Sequence, residues 1–178
     1  MTPEDPSGGP RSHLLRQRIV LLASPLDDQA AQAVIAQLLL LESQDAAAPI
    51  TLHVSSEGGA PAAALAIVDM LHALSAPVGT LGWGTVAGAA VLLLASGTQG
   101  KRRAMPSSTI RLAMLPPGAR DPQALAELQR LEQVMGAALS RATGQTVETV
   151  LQDTRRGRIF TAQEARGYGL IDEVVPPK

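Results

Sequence analysis

The side chains able to do chemistry in this chain are few and scattered. Among its 178 residues there are three histidines and no cysteine, which excludes a thiol nucleophile, a disulfide and a thiolate metal site. His13, His53 and His72 lie far apart, with no HxxxH or HxH spacing, so no sequence-local metal site is expected. For nucleophilic catalysis the chain offers Ser55 and Ser56 at the end of the run ITLHVSS, with His53 two residues before Ser55. In an extended strand that spacing puts His53 and Ser55 on one face, the minimum for a serine–histidine pair. A strand-end serine near a half-exposed histidine gives the same pattern without any chemistry. No G-x-S-x-G elbow is present to activate a serine.

Two glycine-rich turns could present backbone amides to an anion. In SSEGGAP, Gly58 and Gly59 join a strand to a helix, where free N–H groups favour negative charge, although paired glycines also serve any tight turn with positive φ. The second, GWGTVAG at 82–88, follows the apolar run VGTL and fits a relaxed dinucleotide pattern, with Arg102 or Arg103 in range of a 2′-phosphate. It sits on the third strand, however, and lacks an acidic ribose partner. A nicotinamide reading therefore ranks last, and no cofactor is expected.

The elements that must position these residues follow from composition and periodicity. Apolar residues make up 46% of the chain and charged residues 17%, with a net charge of −1. This is a packed chain rather than a disordered one, and its charge opposes binding to nucleic acid or anionic membrane. Trp83, Phe160 and Tyr168 are its whole aromatic content, so the core must be aliphatic. The uncharged stretch 73–100 is cut by Pro77 and by glycines at 79, 82, 84 and 88, leaving it short of the roughly twenty continuous apolar residues of a membrane span. It reads as a buried strand feeding a buried helix in a soluble, cytoplasmic chain. Residues 1–12, rich in Pro and Gly and without an apolar signal core, read as a mobile arm ahead of a single domain over 13–178.

Along that domain, strands are predicted at 18–22, 50–54, 78–82, 102–105, 109–114 and 170–175. Helices are predicted from Asp27 or Asp28 to Ser43, after SSEGGAP to Leu74, and over AGAAVLLLAS. Further helices are expected at 121–142 (with Leu125, Leu128, Leu131, Val134 and Leu139 near one face), 146–156 and 162–167. Strands alternating with helices imply crossover connections and a largely parallel, buried α/β sheet.

Read in order, the blocks LLRQRIVLL…PLDDQAAQAVIAQLLLLES, SEGGAPAAALAIVD, ASGTQGKRRAMPSS and FTAQEARGYGLIDEVV resemble the proteolytic subunit of the Clp protease, within the ClpP/crotonase superfamily. The match runs nearly gap-free from Leu14 to Val175. It implies a spiral of ββα units with a protruding handle helix, here 121–142, and seven-membered rings stacked in pairs around a chamber. The family's catalytic positions fall on residues that cannot serve. The nucleophile of its GQAASMGA-type elbow falls on Gly88, the base of its MIHQP-type strand on Ala113, and the orienting aspartate after its DTxR stretch on Gly157. The resemblance thus implies a member without the Ser-His-Asp triad, retaining only oxyanion amides at Gly59 and Ala89.

Its partner surfaces depart as well. The family's aromatic-rich pocket for the unfoldase maps to Thr51, His53, Ala73 and Arg103, polar or truncated, so docking of a Clp ATPase is expected to be weak or absent. An acidic–arginine inter-ring pair maps to Arg155 and Arg156, two like charges that oppose double-ring stacking. The segment carrying PPGARDP is about five residues shorter than in the family. The expectation is a non-peptidolytic subunit acting in a homo-oligomer or a mixed ring with active Clp subunits. Alternatives are an acyl-CoA enzyme of crotonase type reusing the Gly59 and Ala89 amides, or a peptidase with a displaced serine at Ser55 or Ser56 served by His53.

Overall fold

The computed structural model describes residues 9–113 and 122–176, with the side chains of 122–125 left aside. After a short helix α1 (Pro10–Arg16), two strand–helix crossovers, β1 (Ile19–Leu22), α2 (Asp28–Gln44), β2 (Ile50–Ser56), α3 (Pro61–Ala73), lead into the long strand β3 (Val78–Ala87) and the helix α4 (Ala89–Ala95). The N-terminal expectation shifts, because α1 starts at Pro10 and so takes in the last residues assigned to the arm; residues 1–8 lie outside the described chain. Asp27 caps α2 as expected, its Oδ1 accepting the Ala30 N–H at 2.7 Å. The strict alternation of β2 puts Ile50, Leu52, Val54 and Ser56 in the interior and Thr51, His53 and Ser55 on the half-exposed face. All seven residues of α4 are buried, as its uncharged sequence demands.

β1, β2, β3, β4 (Arg102–Ala104) and β7 (Glu173–Val174) form a parallel sheet in that order. The second half of β3 turns to a different neighbour: Thr85–Ala87 pairs in parallel with β5 (Thr109–Arg111), which pairs antiparallel with β6 (Ile159–Thr161). Between the halves Val54 lies opposite Gly82 but Ser56 opposite Val86. The extra residues bulge out with Gly84 at φ +60, and such an insertion bends the strand away from its first partner. The glycines of 82–84 therefore serve a bent strand rather than a phosphate-binding loop. β6 and its antiparallel pairing escape the sequence reading, and the last strand is two residues long rather than the six of 170–175.

The remaining helices are α5 (Pro122–Thr143), α6 (Val147–Arg155) and α7 (Ala162–Tyr168). Leu139 of α5 is buried and Leu128 and Leu131 half-buried, whereas Val134 is exposed. The face predicted from spacing is thus only partly covered, and Leu125 lies outside the described side chains. α7 starts with a capping box in which Thr161 and Glu164 satisfy each other's backbone amides.

Near the chain end Tyr168 donates its hydroxyl to Asp153 Oδ2 at 2.9 Å, and the same oxygen receives Arg158 Nη1 at 3.0 Å. The Arg158 guanidinium also lies 4.7 Å from the Phe160 ring centre and 5.2 Å from that of Tyr168, a cation over two aromatic faces. Burial first, and then the Asp153 hydrogen bond, push the phenol well above its ordinary range. Tyr168→Phe should cost about 1.5 kcal/mol, read from denaturant unfolding, because Asp153 keeps only one of its two donors. An unchanged midpoint would mean that the hydroxyl contributes nothing net.

Candidate active site

The site forms where the β2–α3 turn meets the β3–α4 turn. Leu26 fixes the first: its N–H donates to Gly58 O at 2.8 Å and its carbonyl accepts from Ala60 N–H at 2.7 Å. Gly59, held between these bonds at φ +147, passes so close to the Leu26 backbone that a methyl there would collide with the Leu26 carbonyl. Its own N–H meets no acceptor among the described residues. Gly58 lies against the second turn, where an added Cβ would come within 2.8 Å of Ala87 O and 3.3 Å of Ala89 N. The two turns can abut this closely only because glycine stands at the contact.

In the second turn Gly88 has φ 54 and ψ −130, a backbone conformation costly for any residue with a side chain and suited to a sharp strand-to-helix elbow. Ala89 follows as the first residue of α4, where an N–H has no intrahelical acceptor. Among the described residues the amides of Gly59 and Ala89 therefore both lack a hydrogen-bond acceptor, and they border one groove of about 620 Å³, also lined by Glu57, Gly88, Arg111 and Ala113.

Two backbone bonds tie together the segments that carry the three positions that the resemblance marks as catalytic, and of the three Gly88 and Ala113 line the groove. Gly88 N–H donates to Arg111 O at 3.0 Å, tying the elbow to the end of β5 and so to Ala113 two residues on. Leu112 N–H donates to Arg158 O at 2.9 Å, tying that segment to Gly157. An added Cβ on Gly88 would meet nothing closer than 3.7 Å, and one on Gly157 nothing within 4 Å. There is room for side chains here, yet none is present.

Ser55, Ser56 and His53 do not assemble into a dyad. Ser56 faces the interior, where its hydroxyl takes the Gly58 N–H at 3.2 Å, and His53 and Ser55 share the other face without a hydrogen bond between them. His53 lies instead in register with Leu81, and Leu81 with Arg103. Burial, then the Arg103 charge, lower the imidazole below its ordinary range, so it stays neutral near pH 7. Thr51 shares that face. Ala73 sits exposed at the end of α3, and Arg155 and Arg156 are exposed at the end of α6. The segment 114–121, where the shortened loop is expected, lies outside the described residues.

Two features of the groove had no signal in the sequence. Arg111 Nη2 pairs with Glu57 Oε2 at 3.1 Å, joining residues 54 positions apart across the groove. Glu132 of α5 lines a small adjoining hollow and has one buried carboxylate oxygen, Oε1, without a hydrogen-bond partner among the described residues.

A protein-family comparison adds its finding to this geometry: the model described as Clp protease matches residues 7–178. The chain belongs to the Clp protease family. The bent β3 strand, its buried α4 and the long α5 are accordingly the core and handle of a ClpP/crotonase-like α/β fold. Among the described residues no helix is long and apolar enough to cross a membrane, and no three His, Asp or Glu side chains gather as a metal site.

Proposed function

We propose that this chain is a catalytically degenerate subunit of a Clp-type proteolytic complex, acting through ring assembly or regulation of active subunits and not as a peptidase by itself. The observation that carries this reading is the elbow at Gly88. Its backbone has the sharp turn that would display a nucleophile, and it displays nothing. Ala113 beside it in the groove, and Gly157 where the resemblance puts the aspartate, offer neither a base nor a carboxylate to orient one. The free amides of Gly59 and Ala89 would polarise a carbonyl, but an oxyanion site without nucleophile and base gives only residual acceleration.

Two measurements test the proposal. Purified chain offered casein or a fluorogenic peptide should show no turnover above a buffer blank. Its mass by light scattering should be that of a ring, either alone or after mixing with an active Clp subunit of the same organism. Turnover blocked by a fluorophosphonate would overturn the reading, as would a lasting monomer that enters no particle.

The polar docking face supports a further part of the proposal. With Thr51, His53 and Arg103 where an apolar docking loop would need rings, a Clp ATPase should bind this subunit alone more weakly than low micromolar. A low-micromolar dissociation constant by calorimetry would contradict that. The adjacent cations Arg155 and Arg156 favour a single ring over a stacked pair, and a soluble cytoplasmic setting suits such an assembly.

A further inference from the structure

A parallel sheet usually has both faces covered. In this one Leu52, Val54 and Ala104 point into the core, while the alternate residues Thr51, His53, Leu81 and Arg103 stay half-exposed on the other face. Trp83, the only tryptophan of the chain, is 38% exposed and Met105 39%. Gly82 pairs with Ala104, and Met105 N–H donates to Gly82 O at 2.9 Å, which carries the ladder on to Trp83 and Met105 side by side. A tryptophan and a methionine left together in water are the kind of residue that anchors a contact with another chain.

Beside this apolar pair stand cations without acids. Lys101, Arg103 and Met105 alternate with the buried Arg102 and Ala104, so all three face outward. Neither the Lys101 ammonium nor the Arg103 guanidinium has a hydrogen bond or ion pair among the described residues. Glu173 lies opposite Arg103 in register without closing one. On the other side, across Leu81, His53 feels the Arg103 charge, which adds to burial in lowering its imidazole. Unpaired cations beside an apolar anchor complement a segment that is apolar and acidic.

We propose that the outer face of β3 and β4 docks an extended segment of a partner protein with the pattern apolar-x-acid-x-acid. Residues two apart lie about 6–7 Å from each other along an extended chain, so the three side chains match Met105, Arg103 and Lys101 in turn. The apolar one covers Trp83 and Met105, and the two carboxylates meet Arg103 and Lys101. With a chain charge of −1, the cationic patch is local and suits a short acidic peptide rather than a nucleic acid. The inference rests on the reading of this face as a docking face whose chemistry is polar, and it names the partner that such chemistry selects.

The test uses Trp83 itself, since its emission reports on this face alone. The full-length chain in low-salt buffer is titrated with acetyl-Leu-Ser-Glu-Ser-Glu-amide and with its glutamine counterpart, acetyl-Leu-Ser-Gln-Ser-Gln-amide. The acidic peptide should shift the emission saturably and bind at least about fivefold tighter, the order of one or two partly exposed ion pairs. The advantage should fade in about 0.5 M salt, and Lys101→Gln/Arg103→Gln should bring the two peptides within twofold. Equal affinities, an unmoved Trp83 emission, or a preference that survives the double variant would overturn the proposal. An emission that shifts on dilution of the chain alone and ignores both peptides would give the face to a second copy and overturn it equally. Should the variant fail to fold, the ratio of the two peptides on the unaltered chain and its loss in salt still decide. A failed preference leaves the ring measurement untouched, whereas low-micromolar binding of a Clp ATPase would overturn the docking reading and leave a measured acidic preference standing.

Discussion

Peptide hydrolysis by a Gly88→Ser/Ala113→His/Gly157→Asp variant should exceed that of the unaltered chain by about 10³-fold or more, while each single replacement stays near the blank. The three groups act as a unit: a serine hydroxyl is a weak nucleophile until an imidazole takes its proton, and the imidazole needs an orienting carboxylate. The backbone is already arranged for them. The elbow at Gly88 has a turn of the kind that displays a nucleophile, with nothing closer than 3.7 Å to a new Cβ, and the amides of Gly59 and Ala89 have no acceptor among the described residues. The strain of a serine at φ 54 is of order 1–3 kcal/mol, and an aspartate at Gly157, φ +64, occupies a region that aspartate tolerates better than most residues. Turnover of a fluorogenic peptide, with fold and mass checked beside it, decides. A triple variant that folds, assembles as the parent does and remains silent would show that these three positions do not form the family's catalytic constellation in this chain.

The second large effect concerns stability. Arg102 is 6% exposed, and its guanidinium holds three helix ends together. Nη1 donates to Ala95 O at the end of α4, to Ala142 O near the end of α5 and to Gly169 O just past α7. Nε and Nη2 grip the two oxygens of Asp172 at 3.0 and 2.6 Å. A cation at three helix C-termini meets the negative end of each dipole. Arg102→Met keeps the stem but leaves three carbonyls without this donor and the Asp172 carboxylate without its guanidinium, with the backbone N–H of residue 102 at 2.9 Å still donating to it, so unfolding should become easier by about 3–5 kcal/mol. Denaturant unfolding measures this, and a loss below 1 kcal/mol would mean that water replaces the guanidinium freely.

The same pair sets an acid limit. Burial pushes the Asp172 carboxyl up, but its hydrogen bonds to Arg102 and the Arg102 charge outweigh that and hold it below the usual range. A carboxyl with a depressed folded-state pKa contributes stability that is present above its unfolded value, about 3.9, and is lost as pH falls through the folded value. Thermal midpoints should therefore drop below about pH 4 more steeply in the parent than in Asp172→Asn. Parallel profiles would remove Asp172 from the acid response.

Much of this molecule follows from local rules that its sequence obeys. The cap at Asp27, the alternation of ITLHVSS and the uncharged run of α4 each place an element within a residue or two of where it lies, because caps, strand faces and buried helices depend on near neighbours. The order of the strand–helix blocks is likewise legible and agrees with the family match over 7–178. The absence of a thiol, of a serine at position 88 and of a histidine at 113 is plain from the letters alone.

Contacts distant in sequence are another matter. β6, three residues with only Phe160 buried, has too weak a pattern to announce a strand and exists because β5 offers it an edge. The bend of β3 rests on a mismatch in register between residues of two strands, which neither strand encodes by itself. Likewise, only the folded chain brings Arg102 to three helix ends and sets Arg111 against Glu57. Residue type determines what a group can give or accept, but whether it finds a partner depends on which distant segment packing has brought beside it.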